Sequence, residues 1–230
     1  MRHLNDMQKL TRAAFLGIVA LMIVTGISWG IAAAVAHHNQ TVARPVDNAA
    51  NQALGGFLMS GDLAPDFTLM NQFGQPVTLS SSRGHEVVLA FIDSRCKDVC
   101  PLTAQIMYDA KSRLKASSAS QVELVAINAN PTATGVAVVQ AWSITHGMLH
   151  QWLFLTGSAK QLESIYHLYH VYIQVDSSGG DIHDPITFII DAQGHERLSF
   201  ETLASSSKSD LGDEVSGLEA GMQQWLPRSA

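Results

Sequence analysis

The chain has 230 residues, 47% of them apolar, and a net charge of -6 at pH 7. That length holds one ordinary domain plus a targeting or anchoring segment, not two full domains. An acidic balance with no basic run excludes nucleic acid as a partner, because phosphate recognition needs a concentrated basic face.

The first element in the chain is apolar. Residues 1–12 carry Arg2, Lys9 and Arg12, and Ala13 to Ala36 then runs without a charge. At about 1.5 Å per residue this crosses a hydrocarbon core of roughly 30 Å. The cationic flank keeps 1–12 in the cytoplasm and exports the remainder of the chain. A single-pass membrane anchor over 13–36 with an extracytoplasmic domain is therefore expected. A cleaved signal peptide is the alternative, with small residues at Ala34-Val35-Ala36, although the stretch exceeds the usual apolar region of about 7–15 residues. Both readings export the domain.

Residues 37–61 contain Pro45, Gly55 and Gly56 and show no sustained period, which reads as a tether. The folded domain is placed at 62–230. Ala64 to Leu69 and Asn71 to Leu79 read as two short strands around a Gly-containing turn. Glu86 to Asp93 is a nearly continuous apolar run, the pattern of a central strand covered on both faces.

A helix comes next over Pro101 to Lys115, with Leu102, Ile106, Ala110 and Leu114 spaced along one face. Val122 to Ile127 is a second buried strand. Val136 to His146 reads as a helix, Trp152 to Leu155 as a short strand, and Ala159 to His167 as a helix opened by Ser158. Ile186 to Asp191 and His195 to Phe200 flank the turn Asp191-Ala192-Gln193-Gly194 as a hairpin. A last helix carries Leu218, Met222 and Trp225 on one stripe. This order predicts an α/β fold, a mixed sheet with helices on both faces. The only low-complexity stretch is the Ser-rich patch at Ser205 to Ser209.

Only two cysteines occur, Cys96 and Cys100, between the buried strand and the helix. Residues four apart share one helical face, within reach of a disulfide. So small a loop gains little from cross-linking, so a redox or metal role fits better than a stabilising bridge. A thiol at a helix N-terminus is shifted toward thiolate, and Pro101 suits the first helical turn. Two thiolates form a soft site for Cu(I), and an added imidazole extends it to Cu(II). Asp98 and Lys97 are read as exposed and outside the ligand set.

The pattern Phe91-x-Asp93-Ser94-x-Cys96-x-x-x-Cys100-Pro101 after an apolar strand resembles the copper-binding motif of the Sco/SenC family. That resemblance implies a thioredoxin-like fold on a single membrane anchor and a part in assembling the binuclear copper centre of cytochrome c oxidase. The family's third ligand is a histidine just before a late strand, and His183 stands in that place ahead of Ile186 to Gly194. The resemblance thus implies copper held by Cys96, Cys100 and His183, covering roughly Leu63 to Leu226. Its partner would be the copper-centre subunit of the oxidase or another thiol- or copper-carrying protein.

Two departures stand out. Where the family carries an acidic, proline-containing segment after the second strand, this chain has Asn128-Ala129-Asn130-Pro131. Pro185, before Thr187-Phe188-Ile189-Ile190, resembles the cis-proline of thiol-disulfide oxidoreductases. Of the ten histidines, the pairs His146/His150 and His167/His170 have helical metal spacing, but nothing in the sequence brings them to the thiols, and His37 and His38 border the apolar stretch. Two functions are open: a copper-delivery module without small-molecule turnover, or a thiol-disulfide oxidoreductase with Cys96 as nucleophile and Cys100 resolving.

Overall fold

The computed structural model describes residues 56–175, 181–203 and 208–227. The expected anchor at 13–36 and most of the expected tether, His37 and His38 included, lie outside them. Among the described residues no helix is long and apolar enough to cross a membrane.

In chain order the elements are β1 (Gly56–Leu58), β2 (Thr68–Met70), β3 (Pro76–Thr78), β4 (Glu86–Ile92), α1 (Val99–Arg113) and α2 (Ala116–Ala119). They continue with β5 (Val122–Asn128), α3 (Val136–Thr145), β6 (Leu153–Leu155), α4 (Ala159–Leu168), β7 (Ile173–Val175) and β8 (Asp181–His183). The last are β9 (Ile186–Ile190), β10 (Glu196–Glu201) and α5 (Lys208–Trp225).

Strand β4 is buried along its whole length, as its nearly continuous apolar run predicts. It pairs in parallel with β5, Ala90 opposite Ala126, and antiparallel with β9, Leu89 opposite Phe188. The sheet order is β1-β10-β9-β4-β5-β6, the mixed sheet expected from the sequence. Two small hairpins, β2-β3 and β7-β8, stand apart from it. β1 falls inside the stretch read as tether, where Gly56 to Leu58 pair with Phe200 to Leu198 of β10.

Alternation along β4 divides the core. Val87, Leu89 and Phe91 face one cluster with Leu162, Ile165 and Tyr166 of α4. Phe91 anchors this side, its ring 5.7 Å from that of Tyr169 and 6.2 Å from those of Tyr166 and Phe188. Such tilted and edge contacts add about 0.5–1.5 kcal/mol each beyond area burial, so the strand that leads into the cysteines is rigidly seated. The α4 start is fixed by a capping box between Ser158 and Gln161. On α5, Leu218, Met222 and Trp225 are buried as the stripe predicts, and Gly221 lets the helix lie against Ile189 and Phe200.

The turn after β2 closes the far margin of the sheet. Gln72 is fully buried; its amide donates to the carbonyl of Trp152 and accepts from the N–H of Phe154, each at 2.8 Å. Met70 and Thr156 exchange two backbone bonds beside it. This hairpin, seen in sequence only as two strands and a turn, is therefore a clip on β6.

Candidate thiol and metal centre

The two cysteines lie at the end of β4 and the start of α1. The helix begins at Val99, two residues before the predicted start, because Asp98 caps it by accepting from the N–H of Val99 at 2.7 Å. Cys100 is thus a first-turn residue whose N–H has no partner within the helix. That N–H is directed to Sγ of Cys96 at 3.4 Å. Pro101 comes next in the first turn, as expected.

Both cysteines are thiols outside any disulfide, and they are not equivalent. Cys100 is 1% exposed and Cys96 half-buried. The bond from the Cys100 side chain draws the Cys96 thiol below its ordinary range, while burial and the nearby Asp98 carboxylate oppose the shift. Cys100 is driven strongly the other way, first by the hydrogen bond its thiol donates to Cys96 and then by burial. The pair therefore consists of an accessible thiol shifted toward thiolate and a buried thiol that holds its proton.

Asp98 does more than the exposed acid read from sequence. Besides capping α1, it takes a hydrogen bond from Sγ of Cys96 at 2.9 Å. Lys97 is exposed. A groove of about 990 Å³ opens beside Cys96, lined by Arg95, Lys97, Val138, Ala141, Trp142 and His146, among others.

Sequence reasoning missed the network beneath the thiol loop. Asp93 is 2% exposed; its Oδ1 accepts from the N–H of Arg95 at 2.8 Å and from Nδ2 of Asn130 at 2.9 Å. Its carbonyl accepts from the N–H of Cys96 at 3.2 Å. The departure at Asn128 to Asn130 was the one available signal that this loop is built differently.

His183 ends β8, three residues before the start of β9. Because β9 runs antiparallel to β4, its start lies at the same end of the sheet as the end of β4, from which the thiol loop departs. The side chain of His183 is outside the described residues. The other histidine pairs do not form metal clusters. His146 stacks on Trp142 at 3.8 Å and lines the groove, and His150 stacks on Phe73 at 5.8 Å. His167 and His170 flank a separate pocket with Glu163 and Tyr172. Among the described residues no group of three His, Cys, Asp or Glu side chains is placed to hold a metal ion. Nor is any peptide bond among them cis, that before Pro185 included.

Comparison with known proteins gives a consistent set of likenesses. The family described as SCO1/SenC matches residues 58–210. A SCO1 protein homolog of Bacillus subtilis is 24% identical over 153 residues, which cover 65% of this chain and 79% of that protein. A SCO1/SenC family lipoprotein from Bacillus anthracis superposes with a TM-score of 0.61 at 19% identity, over 73% of this chain and 96% of the other. ScoI of Arabidopsis thaliana, solved with copper bound, gives 0.59 at 20% identity, over 71% and 100%. These structures share the thioredoxin-like arrangement of sheet and helices expected from the sequence.

Proposed function

The chain belongs to the SCO1/SenC family, and on that footing we propose that it carries copper for assembly of the cytochrome c oxidase copper centre. Cys96 and Cys100 bind the ion as thiolates and His183 completes the site. Copper is cargo here, received from one protein and passed to another, so the domain is a transfer module and not an enzyme with turnover. The observation that carries this reading is the pair of free thiols that meet at the start of α1, Cys96 just before the helix and Cys100 in its first turn. Two soft sulfur donors suit Cu(I), and an imidazole broadens the site to Cu(II).

The domain works outside the cytoplasm, held by residues 13–36. The uncharged 13–36 stretch with its cationic flank supports that placement, and the lipoprotein character of the Bacillus anthracis relative agrees with membrane attachment. The receiving partner is the copper-centre subunit of the oxidase or another protein carrying thiols or copper.

The test is copper titration of the full reduced chain against Cys96→Ser, Cys100→Ser and His183→Ala, read by stoichiometry and by the Cu(II)–thiolate absorption band. One copper per chain, lost in each variant, is the expected result. A reduced chain that stays empty, or a His183→Ala variant that binds as wild type, removes the three-ligand site.

The asymmetry of the thiols favours one second reading, thiol-disulfide exchange. In it, the Cys96 thiolate attacks a target disulfide and expels one target thiolate, then Cys100 attacks Sγ of Cys96 and releases the other. The target is reduced by two electrons and the Cys96–Cys100 pair oxidised to a disulfide. Reduction of a test disulfide by the copper-free chain, with its dependence on both cysteines, measures this activity.

A further inference from the structure

The loop carrying Cys96 rests on a residue that neither binds copper nor exchanges thiols. Asp93 organises that loop: its carboxylate holds the N–H of Arg95 and its carbonyl holds the N–H of Cys96. A buried carboxylate with only one donor on that oxygen would be poorly satisfied, and its rotamer would be undetermined. The second donor comes from the neighbouring loop after β5. Asn130 Nδ2 reaches Asp93 Oδ1 at 2.9 Å, both residues being buried.

Asn130 is itself fixed on its other arm. Its Oδ1 accepts from the N–H of Thr132 at 2.9 Å and from the Thr132 hydroxyl at 2.7 Å. Its own N–H donates to Oδ1 of Asn128 at 3.1 Å, and Nδ2 of Asn128 holds the carbonyl of Ala133 at 2.8 Å. Thr132 returns to the thiol loop by accepting from Nη1 of Arg95 at 3.4 Å. The two loops are thereby joined twice, at Asn130 to Asp93 and at Thr132 to Arg95.

We propose that Asn130 is a positioning residue for Cys96: it orients the Asp93 carboxylate on which the Cys96 turn is built. The proposal rests on the reading that Cys96 is the accessible working thiol, and not on copper. The residue type is demanded by the geometry. One planar group must donate to Asp93 and accept from Thr132, which an amide does and neither a carboxylate nor a methyl group can do. Aspartate at 130 would set two carboxylates against each other in a buried site, and alanine would leave two donors on Thr132 without this partner and Asp93 Oδ1 with the Arg95 N–H in place of two donors.

The experiment is alkylation of Cys96 by iodoacetamide in the full reduced chain at pH 7, without metal, with peptide mapping to identify the labelled thiol. Asn130→Ala slows Cys96 labelling roughly threefold to tenfold, and the isosteric Asn130→Asp slows it at least as much. Tyr166→Phe is the control. It removes a buried hydroxyl bond of 2.7 Å to the carbonyl of Asn128 at the end of β5, beside the same loop but away from Asp93, and it lowers the melting temperature while leaving the rate unchanged.

Labelling of Cys96 at the wild-type rate or faster in both Asn130 variants overturns the proposal. So does slowing no greater than that of Tyr166→Phe. Should Asn130→Ala fail to fold, Asn130→Asp carries the test. Because the readout is metal-free, a failed copper titration removes the copper reading and leaves this result standing.

Discussion

The backbone N–H of Cys100 points at Sγ of Cys96 across 3.4 Å, so the head of α1 is completed by a sulfur from outside the helix. The helix, in turn, stabilises negative charge on that sulfur. This mutual arrangement makes the two thiols chemically unequal before any ligand or partner arrives.

The inequality is measurable. Cys96 is drawn below the ordinary thiol range and Cys100 is raised. As pH falls from alkaline values, Cys100 is protonated first and Cys96 keeps thiolate character longest. At pH 7, mass-mapped iodoacetamide labelling should modify Cys96 at least about tenfold faster than Cys100. Equal rates would show that the proton is not held by Cys100.

Asp98 acts in two directions that substitution separates. Its carboxylate beside Sγ raises the Cys96 thiol, and its cap supports α1. Asp98→Asn keeps a good cap and should speed Cys96 labelling about two- to fivefold at pH 7. Asp98→Ala removes the cap as well and should cost about 1 kcal/mol of stability in urea melts.

Glu86 gives the fold a pH dependence. It is fully buried, neither carboxylate oxygen has a hydrogen-bond partner, and burial pushes its pKa up to about 9, helped by the charge of Asp191. Between its unfolded value of about 4.5 and about 9, the folded chain binds more protons than the unfolded one. Stability from this group is therefore full below about 4.5 and declines as pH rises through that window, at no more than about 1.4 kcal/mol per unit. Glu86→Gln should flatten the fall in melting temperature between pH 5 and pH 8, raising the value at pH 8 most. A parallel profile would mean the carboxyl is not protonated in the folded state.

Gly221 sets how closely α5 lies on the sheet. A Cβ there would stand 2.8 Å from Cδ1 of Ile189 and 3.0 Å from Cζ of Phe200. Gly221→Val gains a little helix propensity but overpacks this contact, for a net loss of about 1–3 kcal/mol. Chemical denaturation checks it, and a stabilised variant would show that the helix moves away at no cost.

Much of this was legible in the residues themselves. The nearly continuous apolar run Glu86 to Asp93 announced the central strand, and Ser158 announced the start of α4. Cys96 and Cys100 were placed at a helix start by their neighbours alone. What was not legible depends on partners far along the chain. β1 is three residues with one buried position, too short for a period, and only its pairing with β10 makes it a strand. The Asp93 to Asn130 bond spans 37 positions and leaves no local pattern. Setting the helix start at Pro101 hid the cap at Asp98, although an acidic residue just before a helix is a recognised start signal.

The turn at Asn71 to Gly74 has a consequence of another kind. A sheet that ends in a strand with open backbone groups can recruit the same strand from another molecule and grow edge to edge. At β6 the Gln72 amide imitates a neighbouring peptide group, meeting Trp152 and Phe154 as a further strand would, and Met70 does the same for Thr156. The Gln72 side chain and the Met70 backbone thus occupy backbone groups that an incoming strand would need. Protection of this edge of the sheet falls partly to a glutamine far from the cysteines.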